Sequence, residues 1–575
     1  MLSIVFSWII LFFVLFSSGD MLLAFYNKVC RQQESYGLAD KVLLGLCALI
    51  VPLSFWSLWL PSNHFFLFGS IALCLLYWGM ARKRLYETLS YLKALIRTIS
   101  SSYFFLVPIA LFLLFSVYFY SWEQSVYDSL FYHHQNIRWN EEFAVVPGLG
   151  NLDDRYGFNS NYLLLSAVFT FRFVLSEAIY PLQPFIVTII GSWILYEFIR
   201  SGFETRRLFI LVSYILLCWV SIYFLGNTST DILPNFIIFY IVARLILYPH
   251  ILKENYLLLI ILPVFLLTCK LSSCALAILS VYLIYQLIKN KRYLDVGFLC
   301  TAGLIIVLPW LVRNVIISGY LIYPLYQIDL FSFDWKVPLE AAVKQKAYIF
   351  STGYYFLRIA LRYPGESMRD PFAINILTDI ILVLSILMFL YTTYFVIRQQ
   401  RKKAEPVHIL LYAIFAVAVI VWLTGGADIR FIVGVLCAII FTGATLLLKG
   451  KVRKYPLEGR CLIGIFILSL FVWTTSRYNI VYSEAKIDNV NVPCHILLKP
   501  YTVKDQQTSI GLDWESSFSP YLLNNGHVVW INTGFAYDKL PARTIDHYAL
   551  FLPVICLESR GKSLQDGFRA KADCR

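Results

Sequence analysis

Charge is scarce in this chain: Asp, Glu, Lys and Arg supply only 14% of its 575 residues, where soluble domains carry roughly 25%. A solvated surface wrapped around one core is therefore excluded. Also missing are CxxC pairs and any His/Cys spacing suited to structural zinc, and there is no internal repeat or low-complexity tract. No soluble catalytic domain stands out, which leaves loops and helix ends as the places for chemistry. The first apolar run, Leu2 to Ser18, has no basic residues ahead of it, so it reads as a retained helix rather than a cleaved signal peptide.

What is present is apolar and aromatic. Hydrophobic residues reach 59% and aromatics 17%, with a mean hydropathy of +0.68. Trp56, Trp59, Tyr118, Tyr120 and Trp122 sit at the ends of apolar runs, where amphipathic rings favour the membrane interface. The net charge of +13 falls in short basic clusters between those runs, so it signals topology and not nucleic acid. Most of the twelve Cys lie inside apolar runs and act as small hydrophobes. Cys494, Cys556 and Cys574 lie in a polar segment, which allows one disulfide and leaves one thiol over if that segment is outside.

Apolar runs begin near Leu2, Lys41, Phe65, Tyr103, Pro184, Leu208, Ile232, Tyr256, Leu271, Val296, Phe372, His408, Phe431 and Cys461. The expected fold is an all-α polytopic membrane protein with about fourteen transmembrane helices and a small extramembrane C-terminal region. The run Tyr162 to Leu175 fits an interfacial or re-entrant helix, because counting it as a span would place Arg200, Arg206 and Arg207 outside. With that choice the basic clusters at 82–84, 200–207, 289–292, 398–403 and 449–454 share one side, which the positive-inside rule makes the cytoplasm. The chain divides into membrane helices (1–120), a first outward loop (121–183), central helices (184–311), a second outward loop (312–371), C-terminal helices (372–476) and an outward tail (477–575).

The residues with a chemical vocabulary gather outward. Asp128 follows a membrane helix, with Tyr132 at i+4; a carboxylate there can take a proton from a hydroxyl, or can be a solvated helix end. His133 and His134 are neighbours that face different directions on a helix, which disfavours joint metal ligation. Asp153 and Asp154 sit in GLGNLDDRYGFNS, whose glycines suit turns and do not match a phosphate loop. Asp231, in STDILP ahead of a helix, suits N-capping and function equally. Lys270 splits an apolar stretch, where a charge is paired, functional or snorkelling. Arg313 and Arg430 stand at outward helix ends, and Asp428 offers Arg430 a local partner. Lys270, Arg313 and Arg430 would place three cations on one face, suited to a lipid-linked phosphate.

The architecture from Tyr103 to Thr475, with YDSLFYHH followed by GFNSNYLLLSAVF, resembles the GT-C superfamily of glycosyltransferases. The segments GLGNLDDRYGFNS, STDILP, KLSSCALAILSVYL, PWLVRNVIISGYLIYP and ADIRF are more similar still to a group of largely uncharacterised bacterial polytopic membrane proteins. The GT-C resemblance implies outward interfacial helices and an inverting transfer from a polyprenyl-phosphate-linked sugar to a glycan or glycolipid acceptor. It implies a site on the periplasmic face of the bacterial inner membrane, with Asp128 as base and with His133, His134, Asp153, Asp154, Asp231, Lys270, Arg313 and Arg430 binding substrate. No cofactor is expected, and a divalent metal is left open without being indicated. Membrane lipids are partners; nucleic acid is not.

Two other readings remain. A polysaccharide polymerase or ligase would use a lipid-pyrophosphate glycan and outward arginines, for which Arg313, Arg358, Arg362 and Arg369 are available. A transporter or flippase would place its polar residues at the membrane midplane and show repeated halves.

Overall fold

The computed structural model describes residues 1–123, 126–361, 372–400, 406–448, 453–485, 496–509, 516–532, 536–544 and 552–574. Among them, seven helices are long and apolar enough to cross a bilayer: Leu2–Cys30, Leu38–Trp56, Leu182–Arg200, Leu271–Lys289, Tyr293–Ser318, Ile376–Arg398 and Pro406–Gly425. An eighth span results if His64–Met80 and Arg82–Ser100, bent by 98° to each other, count as one. The expectation of about fourteen is corrected for a geometric reason. Tyr103–Phe119, Ile232–Leu247, Tyr256–Cys269 and Val433–Leu447 are apolar but have only 17, 16, 14 and 15 residues, whereas a full crossing takes roughly 20.

Three of those short helices form the centre. Ile232–Leu247, Tyr256–Cys269 and Val433–Leu447 are buried along nearly their whole length, as a helix apolar on every side must be. Tyr293–Ser318 and Phe372–Gln400 lie outside them and leave Leu304, Leu308, Val383 and Ile386 exposed. Arg82–Ser100 buries no residue; Leu85, Leu89, Leu92, Ile96 and Ile99 share one stripe, flanked by Lys93 and Arg97 and opposite Lys83 and Glu87, the composition of a helix lying in the membrane plane.

The connecting segments collect at the helix ends. At one end Arg207 pairs with Glu197 and Glu204, the backbones of Glu204 and Lys454 form an isolated antiparallel β-bridge, and Arg84 and Lys41 both hold Asp20. Residues 401–403 and 449–452 of the basic clusters fall outside the described residues. At the other end lie the first loop, the helix Leu339–Ala360 and the tail. The run expected at 162–175 is an Asn161–Val168 helix, wholly buried, followed by a turn of helix at Arg172–Leu175.

The tail is not helical throughout, a second correction. Strands β1 (Phe518–Leu522), β2 (Val528–Asn532) and β3 (Ala542–Thr544) form one sheet, antiparallel then parallel, and β4 (Leu557–Ser559) pairs antiparallel with β5 (Phe568–Ala570). A disulfide joins Cys556 to Cys574, while Cys494 lies outside the described residues. The tail packs on both of the loops that were expected to face outward. Tyr537 N donates to Leu130 O at 3.0 Å, Phe568 N to Pro147 O at 3.0 Å, and Tyr156 Oη to Ala542 O at 3.0 Å. Arg560 Nε reaches Asp334 at 2.9 Å.

Candidate functional site

Asp128 begins a helical stretch that widens into a π-helical segment, Ser129–His133, a distortion frequent at functional sites. The segment is anchored by the 227–230 turn: Ser129 Oγ donates to Thr228 O, and His133 Nδ1 lies 3.0 Å from the same carbonyl. Asp128 is thereby held where two arginines from distant segments reach it. Arg430 Nη1 is 3.1 Å from Asp128 Oδ2, and Arg155 Nη1 is 3.9 Å from Asp128 Oδ1. Burial raises the Asp128 pKa, but the charges around it, Arg430 first and then Arg155, with a smaller part from Lys270, together hold the carboxyl below its ordinary value.

Arg430 comes from the 425–431 turn. Gly426 has φ +123, and a Cβ on Gly353 would lie 2.6 Å from Ala427 N, so the turn and the helix Leu339–Ala360 meet only because both positions are glycine. Asp428 Oδ1 accepts from Arg430 N at 2.9 Å while its Oδ2 holds Arg430 Nη2 at 2.7 Å. Asn235 clamps the turn to Ile232–Leu247. Its Nδ2 donates to Asp231 O at 2.9 Å and Arg430 O at 2.8 Å, and its Oδ1 accepts from Gly434 N at 2.9 Å.

Beside this pair lies a second. Lys270 breaks the helix in extended conformation (φ −154, ψ 126) and places Nζ 2.8 Å from Asp231 Oδ1 and 4.5 Å from the centre of the Phe431 ring. Asp231 makes no side-chain cap on the helix it precedes; its carboxylate is used by Lys270. Phe431 also faces Arg430, at 6.0 Å, so the two cations share one aromatic wall.

Arg155 is the member of the cluster that sequence reasoning missed. Its guanidinium lies 4.8 Å from the Phe131 ring, 5.5 Å from Tyr127 and Tyr132, and 5.6 Å from Tyr348, whose hydroxyl accepts from Nη2 at 3.3 Å. The adjacent Asp153 and Asp154 suggest a local ion pair in the sequence, but their carboxylates take the Arg155 backbone N–H instead.

The structure brings together Asp128, His133, Asp231, Lys270 and Arg430, with Arg155 and Asp428 added. Three carboxylates face three cations there. His133 lies within electrostatic range of Asp128, but burial pulls its pKa to about 4, so it is neutral near pH 7. His134 turns away, stacked on Tyr180 at 4.1 Å with Nε2 2.9 Å from Asn227 Oδ1. Asp153 and Asp154 are buried beside Arg543 of β3; burial and then Asp153 push Asp154 well above the carboxylate range.

Arg313 does not join the cluster. Tyr293–Ser318 continues past the apolar run, so Arg313 is inside a helix, 1% exposed, and donates to Ser57, Asn140 and Asn159. The cations of the cluster are therefore Lys270, Arg430 and Arg155, not the expected Lys270, Arg313 and Arg430. Arg362 and Arg369 lie outside the described residues. Among the described residues no three His, Cys, Asp or Glu side chains are grouped to hold a metal ion.

No curated protein and no solved structure matches the chain. A family model described as "Domain of unknown function (DUF8201)" matches residues 1–437, a span that contains every member of the cluster and ends before the strands of the tail. The chain belongs to that family.

Proposed function

We propose that this protein is an inverting, GT-C-type glycosyltransferase that moves a sugar from a polyprenyl-phosphate donor to a glycan or glycolipid acceptor on the periplasmic face of the bacterial inner membrane. The observation that carries the reading is the 3.1 Å pair between Asp128 and Arg430, with Lys270 against the same Phe431 wall. It joins a base to cations suited to a phosphate leaving group.

In this reaction the acceptor oxygen bonds to the anomeric carbon as the bond from that carbon to the phosphate oxygen breaks. The acceptor proton passes to Asp128, and polyprenyl phosphate departs. Arg430 and Lys270 stabilise the charge growing on the phosphate. An aspartate held acidic by two arginines is a weak base, so the resting pair must loosen first. A phosphate arriving at Arg430 competes for its N–H groups, adds negative charge to a site where carboxylates and cations balance, and raises the proton affinity of Asp128.

The disulfide in the tail suits an oxidising compartment, and the side carrying the basic clusters suits the cytoplasm. The test offers purified protein a labelled sugar on polyprenyl monophosphate and, separately, on polyprenyl pyrophosphate. Transfer from the monophosphate supports the proposal. Product only from the pyrophosphate selects the polymerase or ligase reading, and uptake into proteoliposomes without a covalent product selects a transporter.

A further inference from the structure

A small open-mouthed cavity, with room inside for about one water-sized body, lies apart from the Asp128 cluster between the His134–Glu142 helix, the 144–149 loop and the end of Tyr293–Ser318. Asn136, Trp139, Asn140, Asn159, Ser160 and Arg313 supply its polar wall. Arg313 Nη1 donates to Ser57 Oγ at 2.7 Å, Nη2 to Asn140 Oδ1 at 2.6 Å, and Nε to Asn159 Oδ1 at 3.5 Å. Every one of these acceptors is neutral, and among the described residues no carboxylate forms an ion pair with Arg313. A buried charge ordinarily has a counter-charge, because neutral dipoles replace only part of its lost hydration.

Two further donors line the same cavity. Asn136 Nδ2 and Trp139 Nε1 are buried without a hydrogen-bond acceptor, on residues 6% and 2% exposed. The other side-chain donors of the wall are occupied, Asn140 Nδ2 on Asn136 O at 2.8 Å and Ser160 Oγ on Cys269 O at 2.8 Å. The idle groups are thus all donors, and the charge is positive. A water molecule would satisfy the donors and leave the charge; a cation would satisfy neither. Val145, Val146, Leu149, Leu163 and Ile317 make the rest of the wall apolar, which penalises strongly hydrated polyvalent anions such as phosphate.

We infer that this cavity binds one small monovalent anion, a halide or a carboxylate group, as the counter-charge of Arg313. The site is separate from the proposed sugar-transfer centre and stands whether or not that activity is found. The experiment follows thermal unfolding of the detergent-solubilised full chain at fixed ionic strength, with gluconate exchanged stepwise for chloride, bromide or formate. A saturable rise in the midpoint is expected; a response to the halides alone assigns a free halide, and one to formate assigns a carboxylate. Trp139→Phe keeps the ring and removes one donor, weakening half-saturation by about tenfold. Asn136→Asp places a carboxylate in the wall of the cavity that Arg313 also lines and abolishes the response. A wild-type midpoint indifferent to the anion, or equal responses in wild type and both variants, overturns the proposal.

Discussion

Replacing Asp128 with Asn separates a catalytic carboxylate from a structural one, because the two losses differ in size. The structural loss is the pair with Arg430, in which the side chains are 24% and 31% exposed. Breaking a fully buried pair costs roughly 3–5 kcal/mol and an exposed one about 0–1. A partly exposed pair, whose arginine keeps Asp428 at 2.7 Å, falls between them, at about 1–2 kcal/mol. A general base contributes about 10²–10⁴ in rate, or about 3–5 kcal/mol of barrier. D128N is therefore expected to purify as a folded protein with a modestly lower unfolding midpoint while sugar transfer from polyprenyl monophosphate falls by at least about a hundredfold. Gel filtration and thermal unfolding report the first, and labelled-sugar transfer reports the second. A folded D128N protein that transfers sugar at the wild-type rate would refute the assignment.

Three other outcomes follow from the same geometry. Asn235→Ala removes three hydrogen bonds, two of them buried and two of them tying the Arg430 turn to the Ile232–Leu247 helix, so thermal unfolding should show a loss of about 2–4 kcal/mol, with transfer reduced through a misplaced Arg430; unchanged stability and rate would contradict the clamp. Cys556→Ser should expose Cys574 to an impermeant maleimide added from the outward face and lower the stability of the tail by about 2–4 kcal/mol, whereas wild type should not label there. His133 has its pKa pulled from 6.5 to about 4 by burial, so between those values the unfolded chain binds protons that the folded one does not. Stability is then lost as pH falls through that window, by about 1.4 kcal/mol per unit. Glu123, pushed from 4.5 up to about 7 by burial, works in the opposite sense, losing stability as pH rises. Comparing wild type with His133→Gln cancels that second contribution and should flatten the acid limb; identical acid limbs would count against the assignment.

The membrane class was legible because apolar runs are a one-dimensional signal, but their number overstated the crossings. Ile232–Leu247 and Val433–Leu447 are central and short, and periodicity does not reveal where a helix stops before it spans. The β-strands of the tail had a local signal, since Asn525 and Gly526 between PYLL and VVWIN mark a hairpin turn, and Gly526 does take φ +86. Lys270 stood out as a charge inside an apolar stretch, and its partner Asp231 was already a candidate. Arg155 did not, because two acids precede it and imply a local partner, while its aromatic surroundings come from 127–132 and from Tyr348. Arg313 misled for the reverse reason: its position at the end of an apolar run looked exposed, and only packing against Ser57 and Asn140 shows it to be buried.

The central claim is that a lipid phosphate sits between Arg430 and Lys270, next to Asp128. An experimental density map of the purified protein with polyprenyl phosphate tests it most directly. Phosphate density within hydrogen-bond distance of both cations, with the Asp128 to Arg430 pair lengthened, is the expected result. Lipid phosphate bound elsewhere, with the 3.1 Å pair intact, would contradict it.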